Sequence, residues 1–154
     1  MNDLIFNRAY ALAEEAFKAE EVPIGAVIFR TDTGEIVAEA RNRTEEQKSP
    51  LAHAEVLCIQ EASRKLGLKR LTGYSLFVTV EPCVMCAGAI AWARLDALYF
   101  GAYDPKTGGV EQGAKVFTHP QTHHKIKIEG GIHAKECGEL MTTFFRERRQ
   151  ETQK

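Results

Sequence analysis

Two short segments carry residue types that can hold and use a metal ion: Ala52-His53-Ala54-Glu55 and Pro82-Cys83-Val84-Met85-Cys86. Each stands at the start of a predicted helix. Cys83 and Cys86 are three positions apart, so both thiolates turn to one side of a single helical turn. A helix N-terminus favours negative charge, which lowers a thiol pKa and prepares the sulfur as a ligand. A neutral imidazole from His53 completes a set of three protein ligands. Mixed thiolate and imidazole ligation favours Zn2+, one ion per chain. Three ligands leave one tetrahedral position open, and that open position separates a catalytic zinc from a structural one. Water at such a position ionises near neutral pH. Glu55, two residues after His53, is close enough to take that proton and pass it to a leaving group without being a ligand.

Taken alone, each segment is weak. A single Cys-x-x-Cys fits structural zinc, redox work or coincidence, and a single His-x-Glu says less. Together, each at a helix start and about 30 residues apart, they form the His-x-Glu…Pro-Cys-x-x-Cys pattern of zinc nucleobase deaminases. Two other sulfurs exist. Cys58 lies in the apolar run of its helix and reads as a small core residue. Cys137 is expected to pack within the last helix. His119, His123, His124 and His133 fit no ligand spacing, so loop or surface roles are expected for them.

The elements that must position these residues follow from periodicity. Residues 3–20 read as an amphipathic helix with Leu4, Ala9, Leu12, Ala16 and Phe17 on one side, ended by Pro23. Residues 24–30 and 35–41 form a hairpin around Asp32-Thr33-Gly34. A polar loop, 42–52, closes at Ser49-Pro50. A helix over 54–66 carries Val56, Leu57, Ile59 and Ala62 and stops at Gly67. Residues 74–80 are the strongest strand signal. Pro82 opens a short helix over 83–93, since proline suits a first turn. Strands follow at 96–102 and 126–129, with a glycine-containing loop at 103–114 between them and a final helix at 134–150. Strands alternating with helices after an opening hairpin imply a mixed sheet with helices on both faces.

The 154 residues point to one domain spanning 1–154. Four cysteines, two of them in Cys-x-x-Cys, argue for metal or redox use rather than a disulfide framework. The N-terminus is acidic and lacks the apolar core of a signal peptide. No stretch approaches the roughly 20 apolar residues of a membrane span, so no membrane partner is expected and the cytoplasm is the expected compartment. Net charge is only −1. Its distribution is uneven: residues 1–60 carry 6 Lys and Arg against 11 Asp and Glu, and residues 61–154 carry 14 against 10. A polyanionic partner should meet the second half.

The chain resembles the bacterial tRNA-specific adenosine deaminases of the cytidine deaminase-like superfamily over nearly its whole length. The resemblance rests on Glu21-Val22-Pro23-Ile24-Gly25-Ala26-Val27, Asn42-Arg43, the two segments above, Phe100-Gly101-Ala102, Asp104, Lys106-Thr107-Gly108 and Phe144-Phe145-Arg146. It implies a three-layer α/β/α fold with a five-stranded mixed sheet, usually as a homodimer. The implied reaction converts the wobble adenosine of a tRNA anticodon stem-loop to inosine with release of ammonia. Asn42 and the Ala54 backbone would hold the base, and Val22 and Pro23 would line its pocket. Asp104, Phe145, Arg146 and Arg149 would meet the RNA, the arginines because they suit phosphate recognition. Phe144 is open between RNA contact and core packing. The sequence departs from the pattern at 109–115, where Gly-Val-Glu-Gln-Gly-Ala-Lys replaces a piece rich in small residues, and at His123-His124. Two alternatives stay in play: a deaminase of a free nucleobase or nucleoside, and a zinc-stabilised RNA-binding module with a fourth protein ligand.

Overall fold

The computed structural model describes residues 1–152. Helix α1 spans Asp3–Lys18 and is capped by the Asn2 side chain, which accepts from the Ile5 N–H at 3.1 Å. Its buried face is Ile5, Phe6, Ala9, Leu12, Ala13 and Ala16. Leu4, expected on that face, is 73% exposed. It lies about 140° around the helix from Ala9, outside the stripe. Phe17 is half-buried, with its ring edge-on to Phe144 at 5.7 Å.

Strands β1 (Gly25–Arg30) and β2 (Ile36–Arg41) form the expected hairpin. Helix α2 (Ala54–Leu66), strand β3 (Tyr74–Val80), helix α3 (Val84–Trp92), strand β4 (Ala97–Ala102), strand β5 (Lys127–Glu129) and helix α4 (Ala134–Thr152) follow in the expected order. Pro82 does not open α3. Cys83 is the N-cap and Pro82 precedes it, so the proline fixes the approach to the helix rather than its first turn. A short 3-10 helix, Val116–Thr118, was not anticipated; it buries Phe117 against the core.

The sheet has five strands in the order β2-β1-β3-β4-β5. β1 pairs antiparallel with β2 and β3, while β3–β4 and β4–β5 are parallel. Alternation along the strands sorts side chains onto two faces. Ala26 and Ile28 of β1, with Leu76 and Val78 of β3, pack under α2 and α3. Val27, Phe29 and Phe77 face the other way, onto Ile5, Phe6 and Leu12 of α1 and Cys137 of α4. Helices therefore cover both faces, as the mixed pattern implied. Gly25 sets the spacing of α1 on the sheet. A Cβ there would stand 2.0 Å from the Ala9 carbonyl oxygen, so only glycine admits the helix so closely. Among the described residues, no helix is long and apolar enough to cross a membrane.

Candidate active site

Helices α2 and α3 lie side by side on one face of the sheet and bring their N-termini together. His53 occupies the N-cap position of α2 and Cys83 that of α3, and neither side chain caps its own helix. Both side chains are thereby left to a third partner. The His53 Nδ1 lies 3.7 Å from the Cys83 Sγ and 3.4 Å from the Cys86 Sγ. All three ligand atoms fall within 4.8 Å of one another, the one such grouping of His, Cys, Asp or Glu among the described residues. Two thiols and an imidazole at this spacing fit the expected zinc donor set. Cys58 does not join them. It is fully buried, with its Sγ 3.7 Å from the Ala26 carbonyl. Cys137 is buried in α4.

Electrostatics mark the same spot. Cys83 accepts hydrogen bonds from Cys86 and His53, and its pKa is pushed down to about 4. Cys86 is pushed up as the partner that keeps the proton, with burial adding to the effect. His53 is raised, chiefly by its hydrogen bond to Cys83. Glu55 sits in the first turn of α2, only 3% exposed, and its Oε1 has no hydrogen-bond partner. Burial pushes its pKa up to about 7. An unpartnered buried carboxylate oxygen is costly, and strongly shifted acids cluster where chemistry is done.

His53, Glu55 and Cys83 line a cleft of about 740 Å³, with Cys86 buried behind them. It opens at the carboxyl ends of the parallel strands β3 and β4, with Val80 and Ala102 in its lining, as is general for open α/β sheets. Val22, Ile24, Asn42 and Thr44 line one side. Tyr103, Asp104, Lys106 and Thr107 line another. From α4 come Gly138, Met141, Phe145 and Arg149, one helical stripe.

Of the residues expected to meet substrate, Val22, Asn42, Asp104, Phe145 and Arg149 reach this cleft. Three others do not. Pro23 is buried outside the lining, and Ile24 takes the place expected for it. Ala54 is fully buried, and its N–H already donates to the Asn42 Oδ1 at 2.7 Å. That bond spends the backbone donor and turns the Asn42 NH2 group into the available one. Arg146 lies one position around α4 from the Phe145–Arg149 stripe and donates to the Thr143 hydroxyl instead. Asp104 lines the cleft, but both its oxygens are engaged within its own turn, by the Lys106 and Thr107 N–H groups and the Thr107 hydroxyl. Phe144 belongs to the core, 5% exposed, with the Arg148 guanidinium 5.3 Å from its ring centre.

Sequence reasoning passed over Tyr103 and Met141, and assigned no role to two buried carboxylates that stand in the family-like segments, Glu21 and Glu81. Glu21 accepts from the Thr44 hydroxyl and from the Glu45 and Glu46 N–H groups. Glu81 accepts from the N–H groups of Asp104, Val110, Glu111 and Gln112 in the opposite loop. The available signal was a single charge directly after an apolar strand, Tyr74–Val80.

The profile of the MafB19-like deaminases matches residues 1–149. The tRNA-specific adenosine deaminase of Agrobacterium fabrum is 45% identical over 137 residues, 89% of this chain and 89% of its own. The chain belongs to the tRNA-specific adenosine deaminase family. The family member from Bacillus subtilis is 40% identical over 149 residues, covering 97% of this chain and 91% of its own. A solved structure of a deaminase studied for A-to-I editing at the tRNA wobble position superposes with a TM-score of 0.87 at 42% identity. It covers 90% of this chain and 99% of that one. The five-stranded mixed sheet with helices on both faces is thus the fold of the family as well as of this chain.

Proposed function

We propose that this protein hydrolyses adenosine to inosine at the wobble position of a tRNA anticodon, with release of ammonia, using one zinc ion per chain. The observation that carries the reading is the meeting of His53, Cys83 and Cys86 within 4.8 Å beside an orphaned, buried Glu55 oxygen. His53, Cys83 and Cys86 would hold the ion. When bound, zinc supplies the Lewis acidity that makes water nucleophilic near neutral pH.

This chain's residues do the rest. Glu55 takes a proton from the attacking water and delivers it to the departing amine. Its burial favours the task, because desolvation raises the carboxyl above the ordinary carboxylate range and makes it a better base. Asn42, fixed by its bond to the Ala54 N–H, presents its NH2 group to an acceptor on the base edge. Val22 and Ile24 give the base an apolar side wall. A base reaches such a floor only when it leaves its stack, which suits an anticodon loop. Phe145 offers an exposed ring and Arg149 a guanidinium at the rim. Asp104 acts on the RNA through the loop that it shapes.

The working unit is a homodimer in the cytoplasm, where tRNA is found. Val84, Gly88 and Trp92 share one face of α3, and Val84 and Trp92 are 51% and 82% exposed, which supports a second copy packing there. The deciding assay offers an anticodon stem-loop with adenosine at the wobble position, beside free guanine and cytosine. Inosine in the stem-loop is expected. Ammonia from a free base with no inosine would overturn the reading in favour of a small-molecule deaminase.

A further inference from the structure

Glu81 is the last residue before the Pro82-Cys83 turn and is 3% exposed. A buried carboxylate ordinarily needs a cation or several donors. Here the donors are backbone N–H groups of one loop. Oε1 accepts from Asp104 at 3.0 Å. Oε2 accepts from Val110 at 3.2 Å, Glu111 at 2.8 Å and Gln112 at 2.9 Å. A cluster of N–H groups closing on one anion makes a rigid nest.

The same loop is pressed onto the cysteine segment. Gly109 donates its N–H to the Pro82 carbonyl at 2.8 Å, and Gly108 forms a bridge with Cys83. The fit leaves no spare room. A Cβ on Gly108 would meet the Glu81 Cδ at 2.6 Å and the Asp104 carbonyl oxygen at 2.6 Å. Asp104 then builds the next turn, so that Lys106 and Thr107 face the cleft.

The geometry points to Glu81 as a positioning residue: its carboxylate holds the 104–112 loop so that the cleft wall stands at a fixed distance from Cys83 and Glu55. The assignment rests on the reading of the cleft as an RNA site. Glu81 also borders the cleft, but both its oxygens are taken by loop N–H groups, so it acts through the backbone rather than by contact. Loss of the carboxylate frees the N–H groups, lets the wall swing and weakens RNA binding before it affects chemistry.

Two variants test this. Glu81→Gln keeps the shape but turns one acceptor into a donor that faces donors. Gly108→Ala keeps the charge but forces the carboxylate and the loop apart, because the new Cβ would stand 2.6 Å from the Glu81 Cδ. Steady-state kinetics on the wobble-adenosine stem-loop, zinc content, and amide hydrogen exchange of residues 104–112 are measured for each. The expected result is a KM raised about tenfold or more with kcat within about threefold. Zinc content should stay at the wild-type level, and exchange at 104 and 110–112 should be at least about tenfold faster. A role in overall stability alone would instead lower kcat, through less active protein, and leave KM in place. KM within about twofold of wild type in a folded variant, or unchanged exchange, overturns the proposal. If Glu81→Gln does not fold, Gly108→Ala decides. If wild-type protein forms no inosine, the functional reading fails, and hydrogen exchange still decides whether Glu81 holds the loop.

Discussion

Glu55, the proposed proton carrier, is the residue on which chemistry and stability pull in opposite directions. Its folded-state pKa of about 7 lies above the ordinary 4.5. For a raised carboxyl, the favourable contribution is fully present below pH 4.5 and is lost as pH rises through 7. Glu55→Gln removes the charge and that penalty. Chelator-treated Glu55→Gln protein should therefore be more stable than chelator-treated wild type by about 1–3 kcal/mol above pH 7. The difference should vanish below pH 4.5, as read by urea midpoints across that range. In the zinc-loaded enzyme the same change should cost about 10²- to 10⁴-fold in turnover. A variant that is no more stable at pH 8 would show that burial does not strain this carboxylate. His53, Glu55, Cys83 and Cys86 were legible in the sequence because each pair is local and its spacing carries the chemistry. Ala54 was not, because the bond that occupies its N–H comes from Asn42, across the loop.

At the scale of elements, helix and strand order followed from periodicity, while Leu4 of α1 and Arg146 of α4 fall off the faces expected for them. In α2 the deeply buried positions are Ala54, Glu55, Cys58 and Ala62, whereas Val56, Leu57 and Ile59 are half-buried. Small residues and Glu55 occupy the inner face, while the larger apolar side chains sit at its edges. Such breaks in local pattern are expected at working sites. In α4 the stripe through Met141, Phe145 and Arg149 faces the cleft, and Arg146 does not. Arg149→Ala should raise the KM for the stem-loop more than it lowers kcat, and Arg146→Ala should change KM less. Equal KM values for the two variants would refute the division. The contact of α1 with the sheet gives a stability test. Gly25→Ala forces a Cβ against the Ala9 carbonyl at 2.0 Å and should cost at least about 2 kcal/mol, seen as a lower urea midpoint with an unchanged slope.

For the whole molecule, composition alone set modest bounds, and the sheet order β2-β1-β3-β4-β5 came from non-local pairing that no window of sequence contains. The cleft is likewise non-local. Its lining runs from Val22 to Arg149, and only the family resemblance drew those ends together in advance. The quaternary state belongs to this scale too. Trp92→Glu should convert the proposed dimer to monomer in sedimentation, and a wild-type monomer would remove that dimer.

The most direct test joins metal content to editing in one preparation. Zinc and inosine are measured for wild-type protein as purified, after chelation, after zinc return, and for zinc-loaded Glu55→Gln. One zinc per chain with inosine formed, none after chelation, recovery with zinc, and a rate at least about 10²-fold lower for zinc-loaded Glu55→Gln is the expected pattern. Full editing by the chelated protein, or by Glu55→Gln, would contradict it.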